Sequence, residues 1–324
     1  LAMRRSSLLL RVAMVAVVSC SYMTSSAAPA GATYPGRNGL IAFEGWGACV
    51  PGPGCVSPTN PTYDIWTVRP DGTGLTNITN SVGVDADAAW SPDGTQIVFN
   101  SNRHGDYDLF VMNPDGSELT RLTQGLGNEI YPTWSPNGRR IAYMDFSRRT
   151  FDIVIMRRDG SKKRRIASFE YAYGLQWSPD GKRLAFVQWD QPDGREDVYL
   201  IRPDGSGLRR LYKGRLEGSL PSWSPDGKKL TFAGSMACTT CDYDIWVVRR
   251  DGTRLRKVVE DDLWQTDPAW SPDGRHIVYT NERDDEVYGY GDLWVVNVDG
   301  SNNRRLLSKP DSYDYAIDWQ PLPK

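Results

Sequence analysis

Apolar residues in this chain come in runs of four or five, cut by polar loops and by Pro, Asp and Gly. Gln96-Ile97-Val98-Phe99 gives way to a loop, then to Asp108-Leu109-Phe110-Val111-Met112, an Asp-Gly pair and the short segment Thr120-Arg121-Leu122-Thr123. Runs of that length between turn residues predict β-strands rather than helices. The pattern then repeats. Trp90-Ser91-Pro92-Asp93-Gly94 recurs as Trp134-Ser135-Pro136-Asn137-Gly138 and again from Trp177, Trp223 and Trp270, while a sixth Trp, Trp319, is followed by Gln320-Pro321. Asp-Gly pairs run in phase with it at Asp71, Asp115, Asp159, Asp204, Asp251 and Asp299.

Each unit thus reads as four antiparallel strands: one ending in Trp, a second after the Ser-Pro-Asp-Gly turn, a third after a loop, and a short fourth after the Asp-Gly turn. Pro presets φ in the first turn, Asp or Asn bonds the local backbone, and Gly accepts the left-handed conformation. Such a unit is one propeller blade. The first unit, from Asn38-Gly39-Leu40-Ile41-Ala42-Phe43, lacks a Trp strand, and Tyr315 to Trp319 is a Trp strand without a blade. Joining them closes a ring and removes its open edges. The expected fold is all-β: a six-bladed β-propeller of four-stranded antiparallel blades, the first closed by the C-terminal strand. Its blades fall at about 38–79 with 315–319, 86–123, 130–167, 173–212, 219–259 and 266–307, within residues 33–324.

Twelve Trp, sixteen Tyr, thirty-one Gly and twenty-one Pro suit many short strands and tight turns. A formal net charge of −2 supplies no overall field toward nucleic acid or anionic lipid, so partners are expected at local surfaces. The basic doublets in Lys162-Lys163-Arg164-Arg165, Arg209-Arg210 and Arg304-Arg305 recur before the outermost strand, and read as solvated edges that discourage strand addition rather than as a nucleic-acid site. Residues 1–32 differ from the rest. Arg4 and Arg5 precede Leu8-Leu9-Leu10 and the apolar tract Val12 to Val18, with no acidic residue before Glu44. This is the pattern of a signal peptide, cleaved after Ala30-Gly31-Ala32. Val17-Val18-Ser19-Cys20 supports a second reading, a lipobox acylated at Cys20 that would tie the protein to a membrane. Both readings make the protein exported, periplasmic or secreted.

The Trp-Ser-Pro-Asp-Gly turn, the Asp-aromatic strand and the Asp-Gly turn resemble the WD-like repeats of the TolB family across residues 38–319. The resemblance implies an exported six-bladed propeller. TolB itself serves the periplasmic Tol–Pal system and carries an α/β domain before its propeller that engages inner-membrane partners; here the signal region passes almost directly into blade one.

Residues common to all blades serve the blade, so a site in a pseudo-symmetric ring must use residues that differ. By that rule the Trp series, the Asp-Gly pairs and Asp64, Asp108, Asp152, Asp197, Asp244 and Asp292 are architectural. The unequal positions lie just before each Trp: Asp85 and Asp87, Glu129 and Tyr131, Tyr171 and Tyr173, Glu217, Trp264 and Asp267, and Tyr313, Asp314 and Tyr315. They lead into the channel-lining strands from the face that holds the long insertions 44–63, 188–196, 234–243 and 282–291. An acidic, aromatic mouth fits a cation, a basic peptide segment or a sugar; a solvated rim with aromatic shoulders is the plainer reading. Calcium on clustered carboxylates is a further alternative, without an EF-hand loop, and no other cofactor is expected. Two insertions hold Cys49 with Cys55 and Cys238 with Cys241, read as one disulfide in each loop, with a four-thiolate zinc site as the alternative.

No Gly-x-Ser-x-Gly elbow is present, and His104 and His276 are the only imidazoles. The first expectation is therefore a monomeric, non-catalytic module for a protein or peptide partner in the envelope, or for carbohydrate. A carbohydrate-active enzyme using a carboxylate pair and a structural envelope protein are the alternatives. A buried acid pair with one raised pKa would favour the enzyme, whereas a broad aromatic rim with exposed acids would favour binding.

Overall fold

The computed structural model describes residues 34–46, 63–190, 195–212, 216–236, 243–260, 263–282, 291–308 and 314–323. Cys20, Cys49, Cys55, Cys238, Cys241 and Tyr313 lie outside them. The strands form six four-stranded antiparallel sheets, each a blade. The innermost strands are Asp85–Trp90, Asn128–Trp134, Ala172–Trp177, Leu216–Trp223, Gln265–Trp270 and Asp314–Leu322, for blades two to six and then one. Each lies against the next, and Asp314–Leu322 contacts those of blades two and six, which closes the ring.

Closure follows the expected route. Asp314–Leu322 pairs with Arg37–Trp46, with Ile41 opposite Trp319. The Trp319 indole donates to the Gly39 carbonyl at 3.1 Å. Gln320 stands where the other blades carry Ser; its Oε1 accepts from Leu40 N at 2.9 Å and its Nε2 donates to the Gly94 carbonyl at 2.8 Å. That amide pins the seam and ties blade one to the first turn of blade two. Trp90, Trp134, Trp223 and Trp270 are buried between sheets with the second-strand aromatics Phe43, Phe99, Tyr143, Phe186, Phe232 and Tyr279.

The turns behave as their chemistry demands. In the first, Ser91 Oγ donates to Asp93 Oδ1 at 2.6 Å and Thr95 N donates to the same oxygen at 3.1 Å. The Asp-Gly turns also join blades. Gly205 has φ 90°, and a Cβ there would sit 2.4 Å from the Ile166 carbonyl oxygen of the preceding blade. No other residue gives both the left-handed backbone and that approach.

The basic doublets before the outermost strands are largely exposed, at Lys162 to Arg165 and Arg304-Arg305, and the structure adds bonds to that solvated edge. Thirteen residues after five of the six architectural aspartates stands a cation that binds it: Arg121 to Asp108 at 2.5 Å, Arg165 to Asp152 at 3.1 Å, Arg210 to Asp197 at 2.7 Å, Lys257 to Asp244 at 3.0 Å and Arg305 to Asp292 at 3.4 Å. In blade one, Asn77 donates to Asp64 at 2.8 Å. The preceding cation reaches the next blade instead, Arg164 to the Pro203 carbonyl at 2.7 Å and Arg209 to that of Arg250 at 2.5 Å. At Arg164-Arg165 and Arg209-Arg210, therefore, one member clamps its own blade and the other staples two blades.

Candidate binding site in the channel

Three residues before the Trp of blades two to six the inner strand changes register and turns left-handed: φ is 58° at Asp87, 55° at Tyr131, 72° at Gly174, 52° at Leu220 and 53° at Asp267. Only one is Gly. For the others this backbone costs on the order of 1–2 kcal/mol, and neighbouring blades supply the compensation. Glu44 Oε1 accepts the Asp87 N–H at 2.5 Å, and Asp87 Oδ2 accepts the Tyr131 N–H at 3.1 Å. The residue just before Trp repeats the device: Asp318 Oδ2 accepts from Trp90 N at 2.7 Å. Thr133 Oγ1, likewise, accepts from Trp177 N at 3.2 Å. Blade-to-blade bonds from channel side chains to inner-strand amides therefore fix those strands.

These acids are almost dry. Glu44 and Asp267 have no accessible surface and Asp87 has 6%. Burial, then the charge of Asp87, drives the Glu44 carboxyl well above the usual range. Burial, opposed by the Tyr131 N–H and reinforced by Asp267, pushes Asp87 up to about 7. Burial and the charges of Asp87 and Glu44 raise the Tyr107 phenol. Toward the turn face, Tyr34 is buried and donates its hydroxyl to the Trp134 carbonyl of blade three, while Gly36 N bonds the Pro272 carbonyl of blade six at 3.1 Å. The chain before blade one thus reaches across that end of the channel. Asp318 beside it is raised by burial.

Around the other side of the ring the groups are aromatic. Tyr131 lies 6.4 Å from Tyr173, Tyr173 5.8 Å from Tyr171, and Tyr171 5.5 Å from Phe151 and 5.6 Å from Trp189. The Tyr173 hydroxyl donates to Glu196 Oε2 at 2.7 Å. Burial raises Glu196 to about 7, against the Tyr173 bond. A second pair, Tyr243 and Trp264, stands 5.7 Å apart. Tyr171, Tyr173, Glu217 and Trp264 keep partial access to solvent.

The structure separates residues that the sequence grouped. Asp87, Tyr131 and Asp267 are buried rather than set at an open mouth: Asp87 accepts the Tyr131 N–H, and the Asp267 charge acts on Asp87. Asp85 is closed off: Arg103 Nη2 holds both its oxygens at 2.9 Å, and the same guanidinium lies 5.0 Å from the Phe110 ring. Glu129 is buried, accepts from Thr123 Oγ1 at 3.2 Å and is raised by burial to about 7. Asp314 and Tyr315 pair through backbone with Gly45 and Glu44. Glu44 is a channel group that the positions before each Trp do not reveal, although a signal exists. It fills the second-strand position that holds Asn100, Met144, Val187, Ala233 and Thr280 in the other blades. Among the described residues no group of three or more His, Cys, Asp and Glu is placed to hold a metal ion, and no helix is long and apolar enough to cross a membrane.

Residues 106–240 match the TolB beta propeller domain family. In shape the chain is similar to TolB from Acinetobacter baumannii, with TM-score 0.73 and 18% identity over 87% of this chain and 67% of that one. Hydrazine synthase of Kuenenia stuttgartiensis gives TM-score 0.69 and 14% identity over 90% of this chain and 48% of that one. A chain of the nidogen/laminin complex gives 0.66 and 13% over 88% and 100%. At such identities the likeness is one of fold. No curated protein matches the chain in sequence.

Proposed function

We propose, from the match of residues 106–240 to the TolB beta propeller domain family and the likeness of fold to TolB, that this chain acts as an exported, non-catalytic module that holds a protein or peptide partner at the loop-face end of its channel. The observation that carries this reading is the aromatic ridge of blades three and four. Tyr171 and Tyr173 are half-buried, Tyr173 is fixed by Glu196, and Phe151 and Trp189 pack against Tyr171. Stiff aromatic groups with an apolar body and a polar tip are the usual anchors of protein interfaces. The ridge occupies one side of the ring, so a partner would dock in one orientation. Export is supported by the character of residues 1–32 and by the TolB resemblance, and in that setting Cys49–Cys55 and Cys238–Cys241 would serve as loop disulfides.

The test is capture from envelope extract on the immobilised propeller, with partners identified by mass spectrometry. Wild type should retain a partner that a Tyr171→Ala, Trp264→Ala double variant loses. Recovery of the same proteins by both would refute the reading. Asp87→Ala and Asp267→Ala are unsuited to this experiment, because truncating such buried groups mixes a loss of folding into any loss of binding.

One observation favours the enzyme alternative: Glu44 and Asp87 are buried neighbours with raised pKa values. Against it, the Asp87 and Tyr131 amides already occupy an oxygen of each. Turnover on a glycoside panel that Asp87→Asn abolishes would replace the binding reading with a hydrolytic one.

A further inference from the structure

A groove of about 720 Å³ opens on the turn face, where blades three, four and five meet, and seven cationic side chains against two carboxylates line it. The cations come from three structural positions. Arg140, Lys182 and Arg183 follow the first turns of their blades, Arg202 and Arg250 follow the third strands, and Arg164 and Arg209 open the fourth. The two carboxylates are engaged in their own turns: Asp204 Oδ1 accepts Ser206 N at 2.8 Å, and Asp251 Oδ1 accepts Thr253 N at 2.9 Å. Outside the lining, Asp180 bonds Arg250 at 2.7 Å.

Arg164, Arg209, Lys182 and Arg202 occupy positions that are basic in other blades too, but the rest of this charge departs from the blade plan. At the second position after the first turn, Arg140, Arg183 and Lys229 of blades three to five correspond to Gln96 in blade two and His276 in blade six. Arg158 and Arg250 stand where blades one, two and four place Pro70, Pro114 and Pro203. Three adjacent blades therefore gather cations in a chain whose net charge is −2. The charge that the blades do not share stands in the groove at Arg140, Arg183 and Arg250. Two details agree. Arg183 Nη1 is buried with no hydrogen-bond partner. Arg209 is lowered by burial and by the charges of Arg183 and Arg250, so the groove carries repulsion that an anion would relieve.

We propose that this groove binds an anion bearing several phosphate groups. Arg presents a planar fork that matches phosphate oxygens, and several forks around one cavity suit several phosphates. The volume lies in the range of small-ligand sites, but its lining is ionic rather than apolar. The proposal is independent of the channel reading, which concerns the opposite face.

The probe is tripolyphosphate, followed by titration calorimetry on the purified chain at low ionic strength. Saturable binding is expected, weakening as salt rises. Arg183→Ala with Arg202→Ala should lose at least about tenfold in affinity, and Arg183→Lys with Arg202→Lys should fall between, since charge remains but the fork is lost. Arg148→Ala, an exposed cation in a blade-three loop, should bind as wild type. Tryptophan fluorescence verifies that each variant is folded. An oligomeric glycerol phosphate as second probe tells a phosphodiester source from a polyphosphate one, and binding of either supports the proposal. Absence of saturable binding, unchanged affinity in the alanine variant, or equal affinity for sulfate or a glutamate oligomer would overturn it.

Discussion

Replacing Asp87 by Asn isolates the electrostatic cost of the channel. The native carboxyl keeps its proton up to about pH 7, whereas an ordinary aspartate loses it near 3.8. Between those values the folded state binds more protons than the unfolded one, so stability falls as pH rises. The penalty is nearly absent at pH 4 and complete above pH 7. A shift of about three units corresponds to roughly 4 kcal/mol, an upper figure because the carboxylates share the effect. An asparagine amide never charges and escapes this penalty. It also fits: its Oδ1 can keep the Tyr131 N–H, and Asn100, which bonds Asp87, has a buried Oδ1 with no hydrogen-bond partner and can rotate to accept the new N–H. Urea unfolding followed by tryptophan fluorescence at pH 4, 6 and 8 measures the result. The Asp87→Asn variant should match wild type within about 1 kcal/mol at pH 4 and exceed it by about 2–4 kcal/mol at pH 8. A stability difference that does not change with pH would refute the reasoning.

Arg103→Ala should be costly, by about 3–5 kcal/mol in urea unfolding, because it leaves the fully buried Asp85 without its counter-charge; Asp85→Asn in the same background should recover part of the loss. Gly205→Ala should lower the melting temperature, with a loss of about 2 kcal/mol or more, since the new methyl meets the Ile166 carbonyl and the backbone is left-handed. Tyr34→Ala should cost about 3 kcal/mol of stability, whereas Tyr34→Phe should cost only about 1, the value of its hydrogen bond to the Trp134 carbonyl. Denaturant titration of that pair separates packing in the channel from the bond itself.

The repeat alone determined the blade count, the strand order and the closure of blade one by Tyr315 to Trp319. It could do so because Trp-Ser-Pro-Asp-Gly and Asp-Gly are local devices whose conformational demands are met within a few residues. The comparison of blades also picked out Asp87, Tyr131 and Asp267 as unequal positions, and all three are buried. What it could not decide was which way each side chain faces and what lies beside it. Asp85 and Asp87 are two residues apart, yet a left-handed turn at Asp87 sends one to the Arg103 guanidinium and the other to the Tyr131 amide. The basic doublets read as solvated edges, and their bonds went unseen because the partners are thirteen residues back or one blade onward. Burial and charge depend on distances between blades, and only the closed ring fixes those. It placed Asp87 and Asp267 in a dry interior while Tyr171, Glu217 and Trp264 kept access to solvent, and it collected scattered arginines into one groove on the opposite face.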